Sequence, residues 1–171
     1  MSFLQYLFPD KKQRAALAPL YAAIVAEGRD PFWYREGQVP DTIDGRFDMI
    51  AAVTALVLLR LEAEGEAGRG LAVLLTETFI DDMDATLRQI GIGDYVVGKH
   101  VGRMTSALGG RLAAFRGARE SGYFAGAVQR NIFHESPPSE AELASVAGRL
   151  ERLATGLDAT GPETLIGGSL S

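Results

Sequence analysis

Apolar residues recur along most of the chain three or four positions apart, which is the spacing of a helix face. The strongest case is the helix predicted over about residues 44 to 64. One of its faces consists of Phe47, Ile50, Ala51, Thr54, Val57, Leu58 and Leu61. Much of its other face consists of Val53, Leu56 and Leu59. A helix that is apolar on nearly every side is expected to be central and buried.

The same spacing predicts helices before and after this central one. They are expected over about residues 10–27, 67–89, 94–116, 121–133 and 139–155. Pro19 should kink or break the first of them. Ser139 and Glu142 form a capping box for the last one. Because no β alternation is visible, the sequence predicts an all-α, single-domain bundle of about six helices joined by short turns.

The predicted bundle occupies residues 10–156 of the chain. A short apolar segment, residues 1–9, precedes it, and residues 157–171 follow it as a flexible tail unless Leu165 and Ile166 dock that tail. The 171 residues suffice for one domain with a core, and the hydrophobic fraction of 47% is that of a folded protein.

Composition excludes several classes of function. The net charge of −5 argues against general nucleic-acid binding. The absence of cysteine excludes disulfides and thiolate metal sites, and the 2 histidines argue against a multi-histidine site, so no cofactor or metal is expected. The two longest uncharged runs, residues 15–26 and 49–59, are both shorter than the roughly 20 residues that cross a bilayer. We expect a cytoplasmic chain that can still work at a membrane surface.

An aspartate cluster is the feature most typical of an enzyme. Asp81, Asp82 and Asp84 on one helix could hold Mg²⁺ against a diphosphate, as in all-α isoprenoid or quinone-related enzymes. Such enzymes use two facing clusters, and the sequence contains one. The alternative interpretation is a polar helix face in which Asp81 and Asp84 pair with Arg88, four residues after Asp84.

Charge is segregated along the chain. Residues 60–87 hold seven acidic and two basic residues, and residues 88–130 hold seven basic and two acidic ones. One interpretation is two neighbouring helices with complementary faces. The other is a basic ridge, formed by Lys99, His100, Arg103 and Arg111, that faces anionic lipid or an acidic partner.

Three successive aromatic residues, Phe32, Trp33 and Tyr34, lie in a predicted loop. Three neighbouring aromatic side chains in a loop cannot easily all turn inward. They either cover the core or form the rim of an apolar client-binding surface, because Trp and Tyr are frequent binding anchors.

The segment from position 40 to 49 begins the central helix and breaks two rules for a helix start. Asp41, Thr42 and Asp44 can accept hydrogen bonds from the first backbone N–H groups, and Phe47 opens the apolar run. Gly45, however, costs about 1 kcal/mol against alanine, and Arg46 places a cation where the helix dipole favours an anion. We therefore expect Arg46 to pair with a distant carboxylate, that of Asp82, Asp84 or Asp94.

Three motifs in this order resemble the signatures of the ubiquinol–cytochrome c chaperone family. They are Pro40-Asp41-Thr42-Ile43-Asp44-Gly45-Arg46-Phe47-Asp48, then Asp82-Met83-Asp84-x-x-Leu87-Arg88, then Gly91-x-Gly93-Asp94-x-x-Val97-Gly98-Lys99-x-Val101-x-x-Met104. The resemblance covers about residues 10 to 130 and leaves out the last helix and the tail. It implies an all-α, non-enzymatic assembly factor for the cytochrome bc1 complex.

The family's function supplies the leading hypothesis for this chain. Mitochondrial members bind newly made cytochrome b, act with a small partner protein and lie near the ribosome exit. The resemblance thus implies a bacterial chaperone, peripheral to the inner membrane, that shelters apolar segments of cytochrome b. A plain helix-binding scaffold is a further alternative. The residues expected to contact client or partner are Phe32, Trp33, Tyr34, Asp41, Asp44, Gly45, Arg46, Phe47, Asp82, Asp84, Arg88, Asp94, Lys99 and Arg103.

Overall fold

Helices make up the regular structure of this chain. The computed structural model describes residues 9–89, 94–134 and 137–171, without the side chains of residues 9–13, 94–98 and 100. In these ranges it contains helices and no strand, which confirms the all-α, single-domain prediction. The helices are α1 (Pro9–Gly28), α2 (Pro31–Arg35), α3 (Ile43–Glu62), α4 (Glu66–Gln89), α5 (Asp94–Ser121), α6 (Phe124–Asn131), α7 (Glu140–Ala159) and α8 (Pro162–Ile166).

Helix α3 is the centre of the bundle. Every residue from position 48 to 61 is buried, and α3 packs against α1, α4, α5 and α7. Its start is capped by Thr42, whose hydroxyl accepts a hydrogen bond from the backbone N–H of Gly45 at 3.0 Å. The prediction of a central helix that is apolar on nearly every side is therefore confirmed. Although α3 is this apolar, no helix in the described ranges is long and apolar enough to cross a membrane.

The C-terminal segment packs onto α1. Leu165 is fully buried and Ile166 contacts the core, so these two residues dock the segment that was otherwise expected to be a flexible tail. Gly168 has a φ of +96°, and a Cβ atom on it would lie 2.9 Å from the carbonyl oxygen of Pro19. The helix α1 continues through Pro19, where the sequence predicted a kink or a break.

A buried arginine joins α3 to the end of α7. Arg60 is 8% exposed, and its Nε donates to the carbonyl oxygen of Leu157 at 2.9 Å while its Nη2 donates to that of Thr160 at 3.0 Å. The last carbonyls of a helix lack partners inside the helix and carry its negative dipole end. Arg60 satisfies these groups, and its remaining Nη1 pairs with Glu64.

We expect the Arg60→Met variant to lower the free energy of unfolding by about 2–3 kcal/mol, because hydrogen bonds from a charged donor to the α7 carbonyls are lost. Denaturant unfolding measures this change. The control is Arg116→Met, which removes an exposed pair with Glu62 and should change the free energy by about 0–1 kcal/mol. Equal losses in the two variants would contradict the role of Arg60.

Candidate functional site

The three successive aromatic residues Phe32, Trp33 and Tyr34 lie at the end of α1. They lie in the short helix α2 and not in the predicted loop, and Trp33 is fully buried, so this residue follows the interpretation in which the aromatic residues cover the core. The Trp33 Nε1 donates to the carbonyl oxygen of Glu27 at 2.6 Å, and the Tyr34 hydroxyl donates to that of Gly28 at 2.7 Å. Both aromatic side chains thus satisfy carbonyls in the last turn of α1.

Arg149 of α7 covers this aromatic corner. Its guanidinium carbon lies 4.6 Å from the ring centre of Phe32 and 4.5 Å from that of Trp33. Its Nη2 donates to Glu27 and Asp30 at 2.9 Å each. The hydrogen bond from Arg149 holds the pKa of Asp30 below its ordinary value. The aromatic residues therefore bind an arginine of their own chain, a contact that the sequence could not assign because α7 is far away in sequence.

Gly45 allows the preceding loop to cross the first turn of α3. A Cβ atom at this position would lie 2.0 Å from the carbonyl oxygen of Pro40, so a larger residue would force the loop away. Tight packing against the loop thus explains why a glycine, which is unfavourable within a helix, occurs in the first turn of α3. Asp44, next to it, is exposed.

Arg46, the cation at the start of α3, pairs with a residue close to it in sequence. Its Nε donates to the Oδ1 of Asp41 at 2.7 Å, and both side chains are more than half exposed. The prediction that Arg46 would reach Asp82, Asp84 or Asp94 is therefore wrong. The loop that Gly45 admits brings Asp41 back beside the first turn of α3, where it partners the cation locally.

The acidic residues of α4 hold this helix against α1. Arg14 pairs with Asp81 and, at 2.8 Å, with Glu77. Asp82 accepts a hydrogen bond from the hydroxyl of Tyr21 at 2.7 Å. Burial and this carboxylate raise the pKa of Tyr21, which therefore stays protonated as a donor.

The aspartate cluster does not form a metal site in the described part of the chain. Asp84 pairs with Arg88 at 2.8 Å, as expected for a polar helix face, whereas Asp81 pairs with Arg14 instead of Arg88. The described residues contain no group of three histidine, aspartate or glutamate side chains that could hold a metal ion.

Arg111 lies inside the bundle and not on a basic ridge. It is 6% exposed and donates through Nη2 to Asp48 of α3 and, at 2.9 Å, to the carbonyl oxygen of Asn131. The other carboxylate oxygen of Asp48 lies 2.9 Å from the Nε2 of His134. Burial raises the pKa of Asp48 and lowers that of Arg111, while the attraction between the two groups opposes both changes. The guanidinium also lies 5.5 Å from the ring centre of Phe47, which is half-buried.

The predicted basic ridge is reduced to two cations by the burial of Arg111. Lys99 and Arg103 are exposed on α5. The side chains of His100 and Asp94 lie outside the described residues.

An open groove of about 570 Å³ lies between α3, α4 and α5, and sequence reasoning did not find it. Its lining residues are Leu58, Glu62, Gly65, Arg69, Ala72, Val73, Thr76, Glu77 and Leu112. Val73 is 54% exposed, which is unusual for a large aliphatic side chain. It lies outside the buried face of α4, which consists of Gly68, Leu74, Leu75, Phe79, Met83 and Leu87. The sequence signal that could have revealed the groove is an apolar residue outside the buried face of its helix.

The charged residues of the groove are engaged in ion pairs. Glu62 pairs with Arg116 at 2.6 Å and Glu77 pairs with Arg14 at 2.8 Å. Arg69 pairs with Glu66, also at 2.8 Å. Because these charges have partners, the groove presents mainly its aliphatic side chains to an incoming ligand.

We expect Arg111→Met to lower the free energy of unfolding by about 3–5 kcal/mol, because the Asp48 carboxylate then stays buried without its main partner. Adding Asp48→Leu should recover most of this loss, since an apolar pair can replace a buried ion pair. Denaturant unfolding of both variants provides the measurement. The control is Arg119→Met, whose pair with Asp158 is more exposed. A double variant that is no more stable than Arg111→Met would count against this account.

The single tryptophan of the chain reports on the aromatic corner. We expect the fluorescence of Trp33 to be that of a buried indole, and Arg149→Ala to shift its emission to longer wavelength, because water then reaches the ring face. Acrylamide quenching should rise in the same variant. Arg152→Ala, an exposed change one turn later on α7, should leave both signals unchanged. An unchanged emission in Arg149→Ala would show that Arg149 does not cover the ring.

Comparison with known proteins connects this fold to one family. The family described as Ubiquinol-cytochrome C chaperone matches residues 35–171. This range includes α7 and α8, which the sequence motifs had left out. The crystal structure of the Cbp3 homolog from Brucella abortus is 29% identical to this chain, with a TM-score of 0.81, over 99% of this chain and 96% of that chain. No curated protein matches the chain.

The family match spans well over half of the chain, and the structural similarity spans almost all of it. Both agree with the motifs at the start of α3, in α4 and in α5. The chain therefore belongs to the ubiquinol–cytochrome c chaperone family and is a non-enzymatic assembly chaperone of the cytochrome bc1 complex.

Proposed function

We propose that this chain shelters newly made cytochrome b at the cytoplasmic face of the membrane, and that the groove between α3, α4 and α5 receives an apolar segment of it. The observation that carries the proposal is an open groove with aliphatic walls and paired rim charges. Such a surface suits an apolar helix, which lays side chains three or four residues apart into a groove.

The physical need for such a groove follows from the client's chemistry. A membrane protein exposes segments that it cannot bury before it is inserted, and these segments aggregate in water. Each large aliphatic side chain that enters the groove gains about 1.5–3 kcal/mol. Because association itself costs several kcal/mol, a few such side chains give a contact that can be reversed. Reversible binding is what a chaperone needs in order to release its client.

Three of the residues expected to contact the client remain suited to that role. Asp44, Lys99 and Arg103 are exposed, and within the described part of the chain their side chains have no partner. We propose that they contact polar residues that flank the apolar client segment. The contacts of Trp33, Gly45 and Asp82 are with their own chain.

We expect Val73→Glu to reduce the capture of cytochrome b about tenfold, because a carboxylate would have to be buried against an apolar segment. The full chain is expressed in cells with a photo-crosslinking residue at Leu112, on the opposite wall of the groove, and the captured chain is identified. The control is Tyr123→Glu, which places the same charge at another exposed apolar residue, 64% exposed and away from the groove.

Capture that falls in Val73→Glu and persists in Tyr123→Glu supports the groove. Equal capture in both variants and the parent protein would exclude the groove as the client site. Membranes that yield no cytochrome b with this chain, together with normal bc1 levels in a deletion strain, would reject the proposed function as a whole.

A further inference from the structure

A second cavity, of about 270 Å³, lies where the end of α1, the helix α2 and the start of α3 meet. Its lining residues are Arg29, Pro31, Tyr34, Arg35, Asp41 and Arg46. Three guanidinium groups and one carboxylate give this lining a charge of 3 − 1 = +2. We propose that this cavity, the arginine notch, binds a phosphate group.

The positive charge of the notch is not neutralised inside the described part of the chain. Asp41 pairs with Arg46, but the side chains of Arg29 and Arg35 make neither a hydrogen bond nor an ion pair with any described residue. The neighbouring carboxylates of Glu27 and Asp30 both pair with Arg149. Two arginines without an ion pair thus line one cavity together with Arg46, in a chain whose net charge is −5.

The frame of the notch is rigid on the side of Tyr34. The Tyr34 hydroxyl donates to the carbonyl oxygen of Gly28, and a Cβ atom on Gly28 would lie 2.9 Å from the Cα of Ile50 in α3. The end of α1 is therefore pressed against the central helix. Burial raises the pKa of Tyr34 to about 12, so its hydroxyl stays neutral and adds no negative charge to the notch.

The loop on the other side is also fixed. Gly45 holds it against α3 through the close approach of Pro40. Gln38 adopts a left-handed φ of 53°, and its side-chain amide donates to the carbonyl oxygen of Arg35 at 2.5 Å. A cavity whose walls are already fixed loses little conformational entropy when a ligand binds.

A phosphate group fits this lining better than a carboxylate does. The planar guanidinium donates two parallel hydrogen bonds to either group. A carboxylate has only two oxygens, however, whereas a phosphate presents more oxygens and can meet guanidinium groups from several directions. A charge of +2 also exceeds what one carboxylate neutralises.

The phosphate can belong to an anionic lipid headgroup or to a soluble compound. Ile43, in the first turn of α3, is 60% exposed and lies three residues before Arg46, on the same side of the helix. An exposed aliphatic residue beside a basic cavity suits a lipid surface, where the phosphate enters the cavity and the side chain meets the acyl boundary.

Two probes distinguish the lipid from the soluble source. The purified full chain is mixed with vesicles of equal parts phosphatidylcholine and phosphatidylglycerol, with pure phosphatidylcholine vesicles as the neutral comparison. In a separate experiment it is titrated with inorganic phosphate. The test variant is Arg29→Ala/Arg35→Ala, which removes two exposed side chains that have neither a hydrogen bond nor an ion pair to a described residue. The matched control is Arg130→Ala/Arg152→Ala, which removes the same charge from exposed positions of α6 and α7.

We expect the arginine variant to bind the anionic vesicles about 30-fold more weakly, because each basic residue near an anionic surface contributes a factor of about five. The control variant should change binding by less than about twofold. Loss of vesicle binding in the arginine variant alone supports a lipid headgroup. Loss of inorganic phosphate binding in that variant supports a soluble compound.

Equal weakening in both double variants overturns the notch, because the attraction would then come from net charge. Parent protein that binds neither probe overturns it too. The proposal does not rest on the client: Val73→Glu should leave both probes unaffected, so a failed notch and a failed groove give different results.

Discussion

The burial of α3 on every side is the constraint on which the rest of the structure depends. Between positions 48 and 61 every residue of this helix is buried, so each polar side chain on it must find a partner inside the protein. Thr54 donates to the carbonyl oxygen of Ile50 at 2.7 Å, within the helix itself. Asp48 and Arg60 instead have partners on other helices, and these partners fix how α5 and α7 are placed. A buried pair of this kind adds little net stability, but it is satisfied in only one arrangement.

The two proposed sites lie at the periphery of the bundle, outside the buried pairs of α3. The acidic side of α4 is occupied by Arg14 and Tyr21 of α1, and the aromatic residues of α2 are occupied by Arg149 of α7. These contacts occupy Asp82 and two of the three successive aromatic residues that the sequence singles out. What is left at the periphery is an aliphatic groove beside α3 and a cluster of arginines at its start. The motif at the start of α3 thus shapes a surface more than it supplies contacts of its own.

The sequence was sufficient for the fold because periodicity is a local property. Burial of α3 follows from apolar residues on all its sides, and the capping box of Ser139 and Glu142 is visible within four residues. The partner of Arg111 is not visible in this way, since Asp48 lies 63 positions away. A basic residue on a helix has the same local pattern whether water or a buried carboxylate faces it.

The contacts of the aromatic residues of α2 are also invisible in the local sequence. Successive residues of a helix point about 100° apart. Three neighbours in a helix can therefore each contact the fold if something covers them from outside, and here Arg149 covers Phe32 and Trp33. The sequence assigned these residues to a loop and left exposure and core contact as two interpretations, because the helix at residues 31–35 and its cover by Arg149 are not visible locally.

Neither of the two proposed sites can be recognised from a continuous stretch of the sequence. The arginine notch draws its cations from three consecutive elements, so a count of charge over residues 60–87 and 88–130 could not reveal it. The groove depends on Val73, a single aliphatic residue outside the buried stripe of α4. What supports both proposals is that unpaired or exposed side chains coincide with a cavity in the described part of the chain. Arg29 and Arg35 line one cavity without an ion pair to any described residue, and Val73 leaves a large aliphatic side chain in water at the groove.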